Sequence, residues 1–221
     1  MKIFTLILAL GFILVLSSCS DDKPTNNNNN NNVTYETVTI GNQVWMKKNL
    51  DVDHYRDGTP IPQITDAYQW MLLSEGACCY YNNDTSKKAI YGRLYNWYAV
   101  SDSRGLAPKG WHIPSLEEWT TLINYLGGES VAGGKLKEAG IVHWQSPNTG
   151  ATNEGGFTGL PSGFRQYEGT FYGLGYSTSW WTSTGLGPGY AYSIFLDKQS
   201  TVVLRNGDNT VMGFPVRCIK D

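Results

Sequence analysis

The unbroken asparagine run Asn26–Asn32 decides where this chain can fold. A polar tract of one residue type offers no apolar surface to offset the entropy of ordering it. A core must therefore be built between Val33 and Asp221, a length that fits one domain. Residues 19–33 are expected to act as an Asn-rich flexible tether, and residues 34–221 as the folded domain. That region is rich in glycine and aromatic residues and poor in charge: Gly 25, Tyr 14 and Trp 8, against 16% charged residues over the whole chain. Such a balance predicts many turns, short strands and an aromatic-rich surface, and argues against a helical bundle.

Ahead of the tether, Lys2 is followed by an apolar run from Ile3 to Leu16. It is too short for a hydrocarbon core, which needs about 20 residues, and matches the layout of a secretory signal. The run ends in Leu16-Ser17-Ser18-Cys19, which resembles the bacterial lipobox, so residues 1–18 are expected to be a signal peptide and Cys19 the lipidated anchor. Acyl burial contributes roughly 0.8 kcal/mol per methylene, and two or more chains anchor stably. Ser20-Asp21-Asp22 resembles the short acidic signal that sends some lipoproteins to the cell surface. The expected partner at this end is the membrane, and the expected location is the outer membrane, exposed outward. A formal charge of −2 gives no basic footprint for nucleic acid.

Cys78, Cys79 and Cys218 remain in an exported, oxidising setting, and their odd number leaves one thiol over. A bridge from Cys79 or Cys78 to Cys218 would close a long loop and contribute on the order of 4 kcal/mol. A vicinal Cys78–Cys79 bridge would strain disulfide geometry. Neither a metal centre nor a cofactor is expected, because His54, His112 and His143 lack ligand spacing. Calcium is a minor possibility at Asn82-Asn83-Asp84 or Asn206-Gly207-Asp208-Asn209, which suit a turn at least as well.

Two β-rich runs, Tyr35–Ile40 and Gln43–Met46, flank Gly41-Asn42 and predict a hairpin. Leu94, Trp97 and Tyr98 at helical spacing predict a short helix over Tyr91–Ser101. Ser115 with Glu118 forms a capping box ahead of an apolar face of Leu116, Trp119, Leu122, Ile123 and Leu126, stopped by Gly127-Gly128. Val131–Ala139 reads as a further short helix despite Gly133-Gly134. Tyr190–Leu196 and Thr201–Leu204 read as strands. Helices early and strands late describe an α+β domain, short helices packed beside a twisted antiparallel sheet.

No Ser-His-Asp order, paired-histidine motif or phosphate-cradling loop appears, so no enzyme is expected. His112, just before a capped helix, reads as partly buried. Binding has better support. Tyr167, Tyr172 and Tyr176 stand among glycines, as ligand-contacting loop tyrosines do, and offer large contact area at low entropy cost. Trp180 and Trp181 are candidates for the same surface, with core filling as the other reading.

In order, Ile40-Gly-Asn-Gln-Val-Trp-Met46, Asp57-Gly-Thr-Pro-Ile-Pro62, Cys79-Tyr-Tyr-Asn-Asn-Asp84, Tyr91-Gly-Arg-Leu-Tyr-Asn-Trp-Tyr-Ala-Val100 and Pro108-Lys-Gly-Trp-His-Ile-Pro-Ser115 resemble the Fibrobacter succinogenes major paralogous domain family. The resemblance continues through Gly134-Lys-Leu-Lys137, Gly163-Phe-Arg165, Trp180-Trp-Thr-Ser183 and Gly213-Phe-Pro-Val-Arg-Cys218. It implies an exported protein, and it selects Cys79 with Cys218 for the disulfide, Cys78 standing where the family pattern has another residue. Ile113–Trp119 and the closing Gly213-Phe214 with Arg217 are more distantly similar to the C-type-lectin-like superfamily, which implies that fold. Within it, the copper-binding oxidases use two cysteines near the end of the fold, and here only Cys218 lies there. The expected function is a surface-tethered module for glycan or protein ligands. The alternatives are a structural envelope domain without small ligand and, third, an uncharacterised enzyme.

Overall fold

The structure, a computed structural model, describes residues 34–221. The signal segment, Cys19 and the asparagine tether lie outside the described residues, and Tyr35–Asp221 forms one compact unit.

The chain runs through β1 (Thr37–Ile40), β2 (Gln43–Met46), α1 (Ala67–Met71), β3 (Cys78–Cys79), α2 (Lys88–Tyr91), β4 (Leu94–Tyr95), α3 (Trp97–Val100) and β5 (Trp111–His112). It continues through α4 (Leu116–Tyr125), α5 (Glu129–Leu136), β6 (Ser162–Arg165), β7 (Phe171–Leu174), β8 (Ser177–Gly187), β9 (Tyr190–Asp197), β10 (Leu204–Asn209) and β11 (Ile219–Lys220). The domain is α+β. One sheet has the order β1-β2-β11-β5, so the last strand is inserted beside the first hairpin. A five-stranded sheet has the order β10-β9-β8-β6-β7, antiparallel except where β6 runs parallel to β8 at Gly163 and Thr178. β3 and β4 form a separate short pair.

The first hairpin forms as expected, with Gly41 supplying the positive φ of its turn. The capping box is complete. Ser115 Oγ accepts from Glu118 N at 3.2 Å, and Glu118 Oε2 accepts from Ser115 N at 2.8 Å. The apolar face of α4 enters an aromatic cluster in which Trp119 lies 4.8 Å from Trp45 and 5.9 Å from Trp180.

Other segments depart from the expected elements. The helix expected over Tyr91–Ser101 is broken into the end of α2, β4 and α3. Gly92 turns the chain at φ 71°, and a side chain there would meet Leu50 O. Asn96 then restarts a helix, its Oδ1 accepting from Ala99 N and Ala77 N. The helix expected over Val131–Ala139 begins and ends earlier, at Glu129 and Leu136. Its two glycines allow the backbone carbonyls of Thr201 and Gly150 to approach where a Cβ would clash. The strand expected at Thr201–Leu204 begins only at Leu204 and runs to Asn209. Asn206-Gly207-Asp208-Asn209 is therefore strand, not turn.

The implied Cys79–Cys218 disulfide is also corrected: Cys78, Cys79 and Cys218 are free and buried. Successive residues of β3 point to opposite sides. Cys78 enters the cluster holding Trp181, Phe214 and Cys218, whereas Cys79 enters another with Trp70 and Leu94. Burial pushes the thiols of Cys79 and Cys218 up to about 12, and raises that of Cys78.

Candidate functional site

Trp180 and Trp181 belong to the core and not to a ligand surface, since both are 0% exposed. They point to opposite faces of β8, but that strand is covered on both. Trp180 packs on Trp119 and Phe157, and Trp181 lies 4.4 Å from Phe214. Their indole N–H groups are satisfied internally, Trp180 Nε1 by Asn49 Oδ1 and Trp181 Nε1 by Tyr95 O, each at 2.8 Å.

The tyrosines do reach the surface: Tyr167 is 51%, Tyr172 52% and Tyr176 39% exposed. They do not form one cluster by themselves. Tyr167 sits in the β6–β7 turn, Tyr172 lies within β7, and Tyr176 occupies the β7–β8 turn with Lys198 Nζ 4.6 Å from its ring. Tyr172 is the one that the sheet places beside a hollow.

Register defines that hollow. Tyr172 is opposite Phe164, with ring centroids 6.4 Å apart. Across the sheet Ser179, Phe195 and Leu204 share a row, and Trp181, Ser193 and Asn206 share the next. Side-chain alternation puts all of these, with Asp208, on one face. Phe164, Gln166, Phe195, Asn206 and Asp208 line a hollow of about 140 Å³, closed below by Ser179, Met212 and Phe214. Phe164 and Phe195 are half-buried and present ring surface; Gln166, Asn206 and Asp208 are half-buried polar groups between them. Burial raises the Asp208 carboxyl above its ordinary range, a shift partly opposed by Ser193 Oγ, which donates to Asp208 Oδ2 at 2.5 Å.

Asn206 and Asp208 stand two residues apart, the period that aims strand side chains to one face. That signal is present in the sequence, but beside glycine it reads equally as a turn. Asn82 and Asn83, at φ 53° and 56°, do form a turn, and Asp84 accepts from Ser86 N at 2.9 Å. Among the described residues, no three His, Cys, Asp or Glu side chains come together to hold a metal ion. His112 is half-buried, its Nε2 2.7 Å from Glu118 Oε1 and its Nδ1 2.8 Å from Asp221 Oδ1. Burial lowers its pKa, but the two carboxylate bonds outweigh burial and leave it raised. Both ring nitrogens are thus occupied in joining α4 to the end of the described chain.

No curated protein and no solved structure matches this chain. The Fibrobacter succinogenes major domain model matches residues 38–220, which takes in both main sheets and the hollow. The chain belongs to the Fibrobacter succinogenes major domain family.

Proposed function

We propose that this protein is a lipoprotein of the outer membrane, anchored at Cys19 and displayed outward on its Asn-rich spacer, whose domain binds glycans on the open face of the five-stranded sheet. The observation that carries the glycan reading is the hollow itself, where ring surfaces of Phe164 and Phe195 stand beside Gln166, Asn206 and Asp208, and Tyr172 packs against Phe164 at its edge. Aromatic rings stack on the apolar faces of sugars, while amide and carboxylate groups exchange hydrogen bonds with hydroxyls. Asp208 Oδ2 is engaged by Ser193, which leaves Oδ1 to accept from a ligand hydroxyl. A C-type-lectin-like architecture forms part of this reading. Its support is the mixed α+β build with a helix-bearing first half and a curled sheet in the second.

The test is a glycan array probed with residues 33–221, followed by titration of any hit against Asp208→Ala and Tyr172→Ala. Loss of a hot-spot side chain weakens binding by about 2 kcal/mol or more. Both variants should lose affinity while keeping their thermal midpoints within a few degrees. A hit whose affinity neither substitution changes would move the site elsewhere. An array without hits would favour the envelope-structural alternative. Among the described residues no helix is long and apolar enough to cross a membrane. Attachment by lipid is tested separately, by metabolic acyl labelling of the parent and of Cys19→Ser.

A further inference from the structure

A second and larger cleft, about 290 Å³, lies between the residues that follow β2, helix α2 and the loop after α5. Its carboxylates are already engaged. Glu36 Oε1 is 3.1 Å from Lys48 Nζ, and both oxygens of Glu138 lie 2.9 Å from His143 Nδ1. Its cations are not all matched. Arg217, 1% exposed on the floor, donates to the carbonyls of Met46, Lys47 and Phe157 and to Asn49 Oδ1. All of these acceptors are neutral, and Arg217 forms no ion pair among the described residues; neither does half-buried Lys47. A buried charge held only by neutral dipoles keeps its full charge, because those dipoles stabilise it without neutralising it.

Two further features mark the cleft. Ala89, Ile90 and Leu160 give it an apolar wall beside the charged groups. Thr158, on its rim, has φ 55°, a conformation a β-branched residue rarely adopts. It is held there by Asn153, whose Oδ1 accepts from Thr158 N at 2.8 Å and whose Nδ2 donates to Thr158 Oγ1 at 3.0 Å. Strain of this kind persists where surrounding contacts enforce it, and such residues gather at ligand sites.

We infer that this cleft binds a small organic carboxylate, its anionic head at Lys47 above the Arg217 floor and its body against Ala89, Ile90 and Leu160. The site is separate from the sheet hollow and stands or falls without it.

The experiment titrates residues 33–221 with hexanoate and with its neutral counterpart hexanamide, following backbone amides and the His143 ring by NMR. Hexanoate should shift cleft resonances saturably and bind about tenfold or more tighter than hexanamide, a difference carried by the charge. Lys47→Glu should weaken hexanoate at least about tenfold, with Lys47→Gln as the milder variant should the reversal unfold the domain. Asp208→Ala should leave hexanoate binding unchanged, which separates this site from the glycan reading. Equal binding of the two probes would overturn the inference. So would hexanoate shifts that fail to saturate, or parent-like affinity in the Lys47 variants.

Discussion

Lys137→Met removes a charge the fold uses in an unusual way, and its cost can be worked from the geometry. Lys137 is 0% exposed and lies just past the end of α5. Its Nζ donates to the carbonyls of Thr149, Asp197 and Ser200 at 3.0, 2.9 and 2.8 Å. Two segments, the loop at Thr149 and the chain leaving β9 at Asp197 and Ser200, are thus gathered on one ammonium, with the Trp144 ring 5.4 Å away. Replacing a buried ion pair with apolar groups is often neutral, because both charges leave together. Here the acceptors are backbone and remain behind. Each carbonyl left without a donor costs about 1–3 kcal/mol. Thr149 is exposed and Asp197 and Ser200 half-exposed, so water can reach part of the gap and the lower figure applies. The expected loss is about 3 kcal/mol, or roughly 6–12 °C for a domain of this size. Urea unfolding of residues 33–221 at constant m would measure it. Lys135→Met is the control, since Lys135 makes only a partly exposed ion pair to Glu154 at 3.2 Å, worth about 0–1 kcal/mol. A Lys137→Met domain no less stable than the control would refute the reasoning.

His112 binds its proton more tightly in the folded state, so its contribution is complete below the ordinary imidazole pKa of about 6.5 and fades as pH rises through the raised folded value. His112→Gln should accordingly cost more stability at pH 6 than at pH 8.5, and equal costs would show that charge plays no part. Asp208 has the same sign of pH dependence, but over a more acidic range, and it is left charged and buried at neutral pH. Its raised carboxyl pKa means that stability falls as pH rises through the folded value, so Asp208→Asn should raise the urea midpoint at pH 7 and lose that advantage in acid. A lower midpoint for Asp208→Asn at pH 7 would contradict the burial argument. The free, buried thiols should resist alkylation in the native domain, and Cys78, Cys79 and Cys218 should all react in denaturant. Peptide mapping that finds any of them crosslinked would restore a disulfide.

What was legible in the sequence was whatever local chemistry decides. Ser115 and Glu118 determine the start of α4 within a few residues, and Gly41 determines the first turn. Helical spacing predicts one helix over Tyr91–Ser101, but Gly92 and Asn96 each override it. Gly92 does so by a backbone conformation that no sequence period records, Asn96 by capping that gives its Oδ1 two donors. The aromatic pair on β8 could not be assigned from alternation alone, which predicts opposite faces but not that both are covered. Covering depends on Phe214 and Phe157, distant in the chain. The hollow is not legible in the sequence for the same reason. Phe164, Phe195 and Asp208 become neighbours only through the order of the sheet, including a parallel contact between β6 and β8 that no local signal announces.

Three buried cations hold together the irregular backbone of this domain. Lys137, Arg165 and Arg217 stand in three of the segments that carry the family resemblance, and each is almost completely buried. Arg165 repeats the Lys137 arrangement. It donates to the carbonyls of Ile64, Thr65, Asp66 and Gly169 while lying 4.3 Å over the Trp70 ring and 4.8 Å over that of Phe171. Arg217 does the same beneath the first hairpin, 4.4 Å over Phe157. A domain with so much irregular backbone must satisfy many carbonyls outside helices and sheets, and a cation with several donors satisfies three or four at once. These side chains therefore serve to close loops. The two proposed ligand sites draw mainly on other side chains, those around Asp208 on the open sheet face and Lys47 in the cleft. Arg217 links the two roles: the hydrogen bonds that fix the loops use up its donors but leave its charge uncancelled. Replacing it with lysine should therefore lower stability more than it lowers the cleft's preference for an anion, because lysine keeps the charge and has fewer donors.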